Sequence, residues 1–231
     1  MSKRIVVLSG AGMSADSGLK TFRDADGLWE GHDVMEVASP QGFKANPELV
    51  LEFYNERRRQ LLNVQPNEGH RALAVLERRY KVTVVTQNVD DLHERAGSTE
   101  VLHLHGELFK VRSTTPPYTV YEWKKDLNIG HLCEHGHQLR PHIVWFGEEV
   151  PLLPQAASIT SLADILIIIG TSLQVYPAAS LMYYARPATP VYFIDPKPAI
   201  DTSAEFKLQI IAKKASEGVP ELVNTLLNAN L

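Results

Sequence analysis

The sequence predicts an α/β fold, a parallel sheet with helices on both faces and a small inserted lobe. Two observations carry that prediction. Five short runs, at residues 4–9, 82–86, 101–104, 165–169 and 191–194, are rich in β-branched and aliphatic residues at consecutive positions, as strands buried on both faces are. Helical stretches fall between strands, and strands alternating with helices make the crossover units of a parallel sheet.

Each element follows in order. Residues 4–9 (RIVVLS) end at Gly10 and feed a turn. Residues 10–15 (GAGMSA) then fit G-x-G-x-x-G/A directly after that strand. Glycines there let the backbone approach an anion, and a following helix N-terminus offers free N–H groups; a plain tight turn is the equal alternative. A dinucleotide dehydrogenase would next show a second strand ending in an acidic residue about 20 positions on. Residues 20–29 (KTFRDADGLW) read instead as a loop, which weighs against hydride transfer. Residues 24–62 are too long and too polar at their start for a simple crossover. Within them Asn46 and Pro47 open a helix, as N-cap and first helical residue, that runs to about Leu62. Asn67 opens the next helix, through Leu73 and Leu76, and delivers the chain into the strand at 82–86. Residues 111–140 hold Pro116, Pro117, three histidines and the only cysteine, with little periodicity. The two insertions are expected to pack together as a small lobe of about 31–67 and 111–140. The large lobe takes about 1–30, 68–110 and 141–231. No repeat or linker divides the chain, so one domain over 1–231 is expected.

Composition bounds the partners. Hydrophobic residues at 44% and charged residues at 22% of 231 suit a globular chain that buries its own core. Lys and Arg number 23 against 27 Asp and Glu, a formal charge of -4, so no basic excess exists to grip nucleic acid. One cysteine forms no internal disulfide, the start MSKRIVVLSG has no signal-peptide core, and the longest aliphatic run, Ile165–Ile169, is too short for a membrane span. A cytoplasmic protein without nucleic-acid or membrane partners is expected.

Several residues stand where chemistry collects. Gly10, Ala11 and Gly12 can hold a pyrophosphate, with Arg23 adding charge-assisted hydrogen bonds; the alternative for Arg23 is a surface pair with Asp24 or Asp26. Gln87, Asn88 and Asp90 follow a strand at its C-terminal end, where open α/β sheets bind ligands, though such residues also make ordinary capped loops. His105 is suited to proton transfer near neutral pH. His103 is its rival, and strand alternation would put both on one side. Val144, Trp145, Phe146, Gly147 and Glu148 read as an extended segment, either a buried strand or one that pairs with a substrate backbone, or both. Gly170, Thr171 and Ser172 follow the aliphatic strand at 165–169, and Asp195, Pro196 and Lys197 follow the strand at 191–194. Tyr54 and Arg57 stand three apart on the helix opened by Asn46, so they share a face, and a phenol with a guanidinium can bind one carboxylate. Packing plus a solvated charge is the plainer reading of that pair.

The strings at 10–29 (GAGMSADSGLKTFRDADGLW), 86–93 (TQNVDDLH), 103–106 (HLHG), 144–148 (VWFGE) and 170–172 (GTS) occur in the order and spacing of the sirtuins. The resemblance spans essentially the whole chain, and with FYNERR at 53–58 it is to the bacterial deacylase branch. It implies a Rossmann-like large lobe and a small lobe of helices plus a zinc ribbon. The activity it implies is NAD-dependent removal of acyl groups from lysine side chains of proteins, releasing nicotinamide and O-acyl-ADP-ribose. By the same resemblance His105 is the general base, favoured over His103 by the HG match, and Asn88 is catalytic beside it. The acyl oxygen would attack the ribose carbon as nicotinamide leaves, and His105 would then activate a ribose hydroxyl. Arg23 meets NAD phosphate, Phe22 shields the reacting sugar carbon from water, and Ser14 lies near the nicotinamide pocket. Met13, Ser17, Trp29 and Val89 join the cofactor set, Gly170, Thr171 and Ser172 contact ribose and phosphate, and Ala215 lies near the adenine. Asp195 stands where many members have asparagine. Y-x-x-R at Tyr54 and Arg57 resembles the signature of sirtuins that prefer succinyl-, malonyl- or glutaryl-lysine, which implies desuccinylase and demalonylase as well as deacetylase activity.

One family feature is missing. Most sirtuins carry two C-x₂₋₄-C pairs, the spacing of a closed zinc site. This chain has Ser113, Thr114 and Thr115 at the first pair and only Cys133 at the second. His131, Cys133, His135 and His137 are the alternative ligands, but strict i, i+2 spacing projects them from one strand face. No structural zinc and no metal ligand is expected. An ADP-ribosyltransferase or NAD hydrolase on the same scaffold, or a non-catalytic binding module, are the alternative functions; His105, Asn88 and Asp90 together argue against the last.

Overall fold

The computed structural model describes residues 2–20, 28–173, 175–198 and 207–229. The strands in chain order are β1 Arg4–Ser9, β2 Leu28–Trp29, β3 His32–Asp33, β4 Lys81–Thr86, β5 Val101–His103, β6 Gly106–Ser113, β7 Val120–Glu122, β8 Leu139–Ile143, β9 Ile165–Ile169, β10 Pro190–Ile194 and β11 Lys207–Ile211. The α-helices are α1 Val34–Val37, α2 Pro40–Ala45, α3 Pro47–Asn63, α4 Glu68–Leu76, α5 Leu92–Ala96, α6 Leu153–Ser161 and α7 Ala215–Asn228.

Six strands pair in parallel in the order β11-β10-β9-β1-β4-β5. The pleat of β1 sends Ile5 and Val7 to one face, against α4 and α7, and Val6 and Leu8 to the other, against α6 and the short helical turn Ala178–Tyr184. Both faces are therefore core, which is why the sequence shows unbroken apolar runs here. The sheet grows one way from β1 through β4 and the other way through β9. That reversal of strand order opens a crevice at the carboxyl ends of β1, β4 and β9, where such sheets take ligands.

The sixth strand, β11, escapes sequence reading because it is an edge strand whose residues are largely exposed. The run at 101–104 is one residue shorter than expected, since Leu104 and His105 form a turn.

Beside the sheet, β7-β6-β8 form a small antiparallel sheet. It packs through Val111, Leu127, Cys133 and Leu139 onto Leu51 of α3. α3 begins as its sequence predicts, with Asn46 Oδ1 accepting from the Leu49 N–H at 3.1 Å and Pro47 in the first turn. On one side of α3, the buried Asn55 amide donates to Leu127 O (3.1 Å) and its Oδ1 accepts from Leu127 N and Arg58 Nη1 (both 2.8 Å). Arg58 Nε donates to Leu108 O at 3.1 Å. At the positions where the sequence resemblance implies zinc thiolates, the Cys133 thiol meets Ser113 Oγ at 3.7 Å. Among the described residues no three His, Cys, Asp or Glu side chains are grouped to hold a metal ion, and no helix is long and apolar enough to cross a membrane.

Candidate active site

The strand-end loops of β1 and β9 touch backbone to backbone. Gly10 N donates to Ile169 O at 3.0 Å and Gly12 N to Gly170 O at 2.8 Å. A Cβ on Gly12 would stand 2.7 Å from Gly170 Cα, and one on Gly170, whose φ is +58°, only 2.4 Å from the Gly12 carbonyl carbon. The glycines are thus required by this contact as well as by any anion. The helix expected after the glycine turn is absent. Two single 3₁₀ turns, Ala11–Met13 and Ala15–Ser17, stand there, the second ended by Gly18 at φ +94°.

A cavity of about 830 Å³ opens from this contact toward the small lobe. Gly10, Ala11, Gly12, Ser14, Gln87, Asn88, Val89 and Asp90 line one end, with Gly170, Thr171, Ser172, Asp195, Pro196 and Lys197 across from them. Trp29, Tyr54, Arg57, His105 and residues 144–148 line the rest. Three expected residues are not on its wall. Met13 is packed in the core under the sheet, Ser17 Oγ accepts from Asn67 Nδ2, and Ala215 is buried against Gly69 at the start of α7. Lys214, one residue before Ala215, reaches the wall instead. Phe22 and Arg23 lie outside the described residues.

At the floor, Ser14 Oγ donates to Asp90 Oδ2 at 2.9 Å and accepts from Asn88 Nδ2 at 3.1 Å. The Asn88 N–H is tied to Thr86 Oγ1 at 3.0 Å, so the amide is fixed by its own strand end. Burial pushes the Asp90 carboxyl up to about 6, against the pull of its hydrogen bonds from Ser14 and the Leu92 N–H.

The two rival histidines part company at the Leu104–His105 turn, so the expectation of a shared side fails. His103 Nδ1 faces Asn88 O at 3.1 Å and Nε2 faces Glu94 Oε1 at 2.6 Å. Two acceptors require two donors, so the ring is an imidazolium. Burial works against that charge, but the Glu94 hydrogen bond and charge hold its pKa above the usual imidazole value. Among the described residues His105 has one such partner, Gln87 O at 3.1 Å from Nδ1. A carbonyl there places the proton on Nδ1 and leaves Nε2 bare. Burial holds the His105 pKa below the usual value despite that bond, so the ring is neutral and basic at neutral pH.

At the far end, Tyr54 and Arg57 both reach the cavity from one face of α3. Arg57 stacks over the Phe53 ring at 4.6 Å, and its Nη2 lies 3.5 Å from Glu56 and 4.0 Å from Glu30 carboxylate oxygens. Its Nε and Nη1 are closed off from solvent and have no hydrogen-bond partner among the described residues. Residues 144–148 are not extended throughout: Phe146 and Gly147 turn, with Gly147 at φ +88°, and Glu148 N returns to Trp145 O at 3.0 Å. Glu148 is not a free substrate contact, because its carboxylate is taken by Arg140, Arg112 and the Trp145 N–H. Gln60 and Glu30, which sequence reading passed over, also line the cavity. Gln60 stands one helical step beyond Arg57, so the i, i+3 rule that paired Tyr54 with Arg57 would have found it.

Residues 10–177 match the family model described as the Sir2 family. The chain belongs to the Sir2 family. It is 60% identical to an NAD-dependent protein deacylase of Helicobacter pylori (strain ATCC 700392 / 26695), over 97% of this chain and 98% of the relative. It is 52% identical to an NAD-dependent protein deacylase of Bacteroides thetaiotaomicron over 98% and 99%. Among solved structures, this Sir2-family chain is similar to a Sir2 homolog–NAD complex (TM-score 0.86, 41% identity, 98% and 90% covered). It is also similar to a Sir2 bound to acetylated peptide (TM-score 0.80, 27% identity, 99% and 95% covered).

Proposed function

We propose that the chain is an NAD-dependent protein lysine deacylase that releases nicotinamide and O-acyl-ADP-ribose. The observation that carries this is the neutral His105, with Nε2 bare, on the wall of the cavity that the glycine contact closes. The residues present fit NAD: Gly10, Ala11 and Gly12 bring bare backbone to the cavity wall, and polar groups of Asn88, Asp90 and Ser14 converge at one end. NAD, when bound, supplies an ADP-ribosyl group to accept the acyl oxygen. Gly10, Ala11 and Gly12 form the bare backbone floor under the pyrophosphate, the Gly10 and Gly12 N–H groups being bonded to the β9 loop, and Gly170, Thr171 and Ser172 meet phosphate and ribose. Asn88, locked by Ser14 and Thr86, orients the ribose, while Asp90 binds the carboxamide end. His105 takes a hydroxyl proton at Nε2, and the Gln87 carbonyl stabilises the imidazolium that results. Lysine side chains of proteins bearing acyl groups are the substrates.

The finer reading is that acidic acyl groups are accepted. A succinyl or malonyl carboxylate reaching the far end would meet the Arg57 guanidinium and the Tyr54 hydroxyl. Mass spectrometry of products from NAD and a panel of acyl-lysine peptides tests both readings. O-acyl-ADP-ribose, with succinyl peptides turned over at least as well as acetyl ones, is expected. Modified protein would mean ADP-ribosyl transfer, free ADP-ribose alone would mean hydrolysis, and no turnover would mean a binding module.

A further inference from the structure

We infer that Trp145 is a positioning residue for acidic acyl groups, its indole N–H committing the Tyr54 hydroxyl to donate into the cavity. The inference rests on the acidic-acyl reading above. Trp145 Nε1 donates to Tyr54 Oη at 2.9 Å, and both side chains are almost wholly buried. An indole N–H is a donor with no acceptor capacity, so this bond has one possible polarity. The phenol oxygen accepts, and its hydrogen must be directed elsewhere. Among the described residues no acceptor takes that hydrogen, and Tyr54 lines the cavity. With the Arg57 guanidinium on the same cavity wall, the Tyr54 hydrogen adds a donor beside a positive charge, an arrangement that suits a carboxylate and penalises a methyl group. Had position 145 carried an amide or an imidazole, the hydroxyl could have reversed and spent its hydrogen on the protein. Accepting a bond also strengthens the one the hydroxyl donates.

Trp145 is itself held from both sides. The Arg140 guanidinium lies over its ring, 3.3 Å from the centroid, and Phe43 packs at 5.3 Å. Glu148 grips Arg140 with both oxygens, at 2.7 and 3.0 Å, and accepts the Trp145 N–H at 2.8 Å. One carboxylate thus fixes the backbone of Trp145 and the cation stacked on its ring, so the indole N–H has little freedom to leave the Tyr54 oxygen.

The test is the KM and kcat of wild type, Trp145→Phe, Tyr54→Phe and the double variant on succinyl- and acetyl-lysine peptides of one sequence. Trp145→Phe is expected to raise the succinyl KM about fivefold more than the acetyl KM. In the Tyr54→Phe background it should add less than about twofold to that difference, because the hydroxyl it acts through is gone. Benzothienylalanine at position 145, which keeps the fused ring and replaces only the N–H, should match Trp145→Phe and decides the matter if the phenyl variant folds poorly. An equal change on both acyl groups, or an effect of full size without the Tyr54 hydroxyl, would overturn the inference while leaving the acidic-acyl reading standing. A wild-type chain that removes acetyl but not succinyl groups would overturn that reading and this inference with it.

Discussion

His105 and His103 differ by two positions and by what their nitrogens touch. His105 keeps one nitrogen bare on the cavity wall, so His105→Ala should lower kcat by about a hundredfold or more while NAD still binds, as calorimetry on the variant would register. His103 spends both nitrogens on Asn88 O and Glu94, so its replacement should act on stability. The sign follows from the raised pKa: the folded state binds this proton more tightly than the unfolded chain. The contribution is therefore full below the ordinary imidazole value of about 6.5 and fades as pH rises through the folded value. The loss of Tm in His103→Ala should be larger at pH 6 than at pH 9, and a loss independent of pH would assign the residue to packing alone. The sequence contained both histidines but not their difference, which arises because the chain turns at Leu104 instead of continuing as strand.

α3 is the element that joins lobe to cavity. One face carries Tyr54 and Arg57 to the cavity, and another carries Asn55 and Arg58 to the small sheet and the Leu127 backbone. Arg57→Met should raise the KM for succinyl peptides by about tenfold while raising the acetyl KM far less, since only the first has a carboxylate to lose its partner. A parallel rise on both would assign Arg57 to the fold or to NAD. Asn55→Ala should cost about 2–4 kcal/mol in urea unfolding, because it strands the Leu127 N–H and leaves the buried Arg58 guanidinium, already pulled down to about 10 by burial, with one hydrogen bond fewer. The helix start was readable because Asn46 and Pro47 are local signals. The turn at Phe146 and Gly147 was not, because Glu148 is drawn back by Arg140, a tertiary pairing that no spacing rule announces.

At the scale of the whole molecule, the parallel core was legible wherever both faces are buried, and β11 was not, because an edge strand leaves no continuous apolar run. The small sheet was not assigned from the sequence, although β6 alternates buried and half-buried residues directly behind HLHG: its neighbours β7 and β8 lie far along the chain in a stretch of little periodicity. That sheet is packed around Val111, Leu127, Cys133 and Leu139, with the Ser113 hydroxyl against the Cys133 thiol. Elemental analysis should therefore find well under one zinc per chain, and a strong chelator should leave the unfolding curve unchanged. Stoichiometric zinc, with unfolding on its removal, would instead make Cys133 and its neighbouring histidines ligands. The contact of Gly12 with Gly170 has a consequence of another kind. The two loops are far apart in the chain, at residues 12 and 170, and meet only once β1 and β9 lie side by side. A nucleotide seated on them binds the finished fold and nothing short of it, so it shifts the folding equilibrium by mass action, about 1.4 kcal/mol for each tenfold excess over its Kd. Proteolytic lifetime should then lengthen with free nucleotide, and a cell short of it would hold less of the protein as well as slower protein.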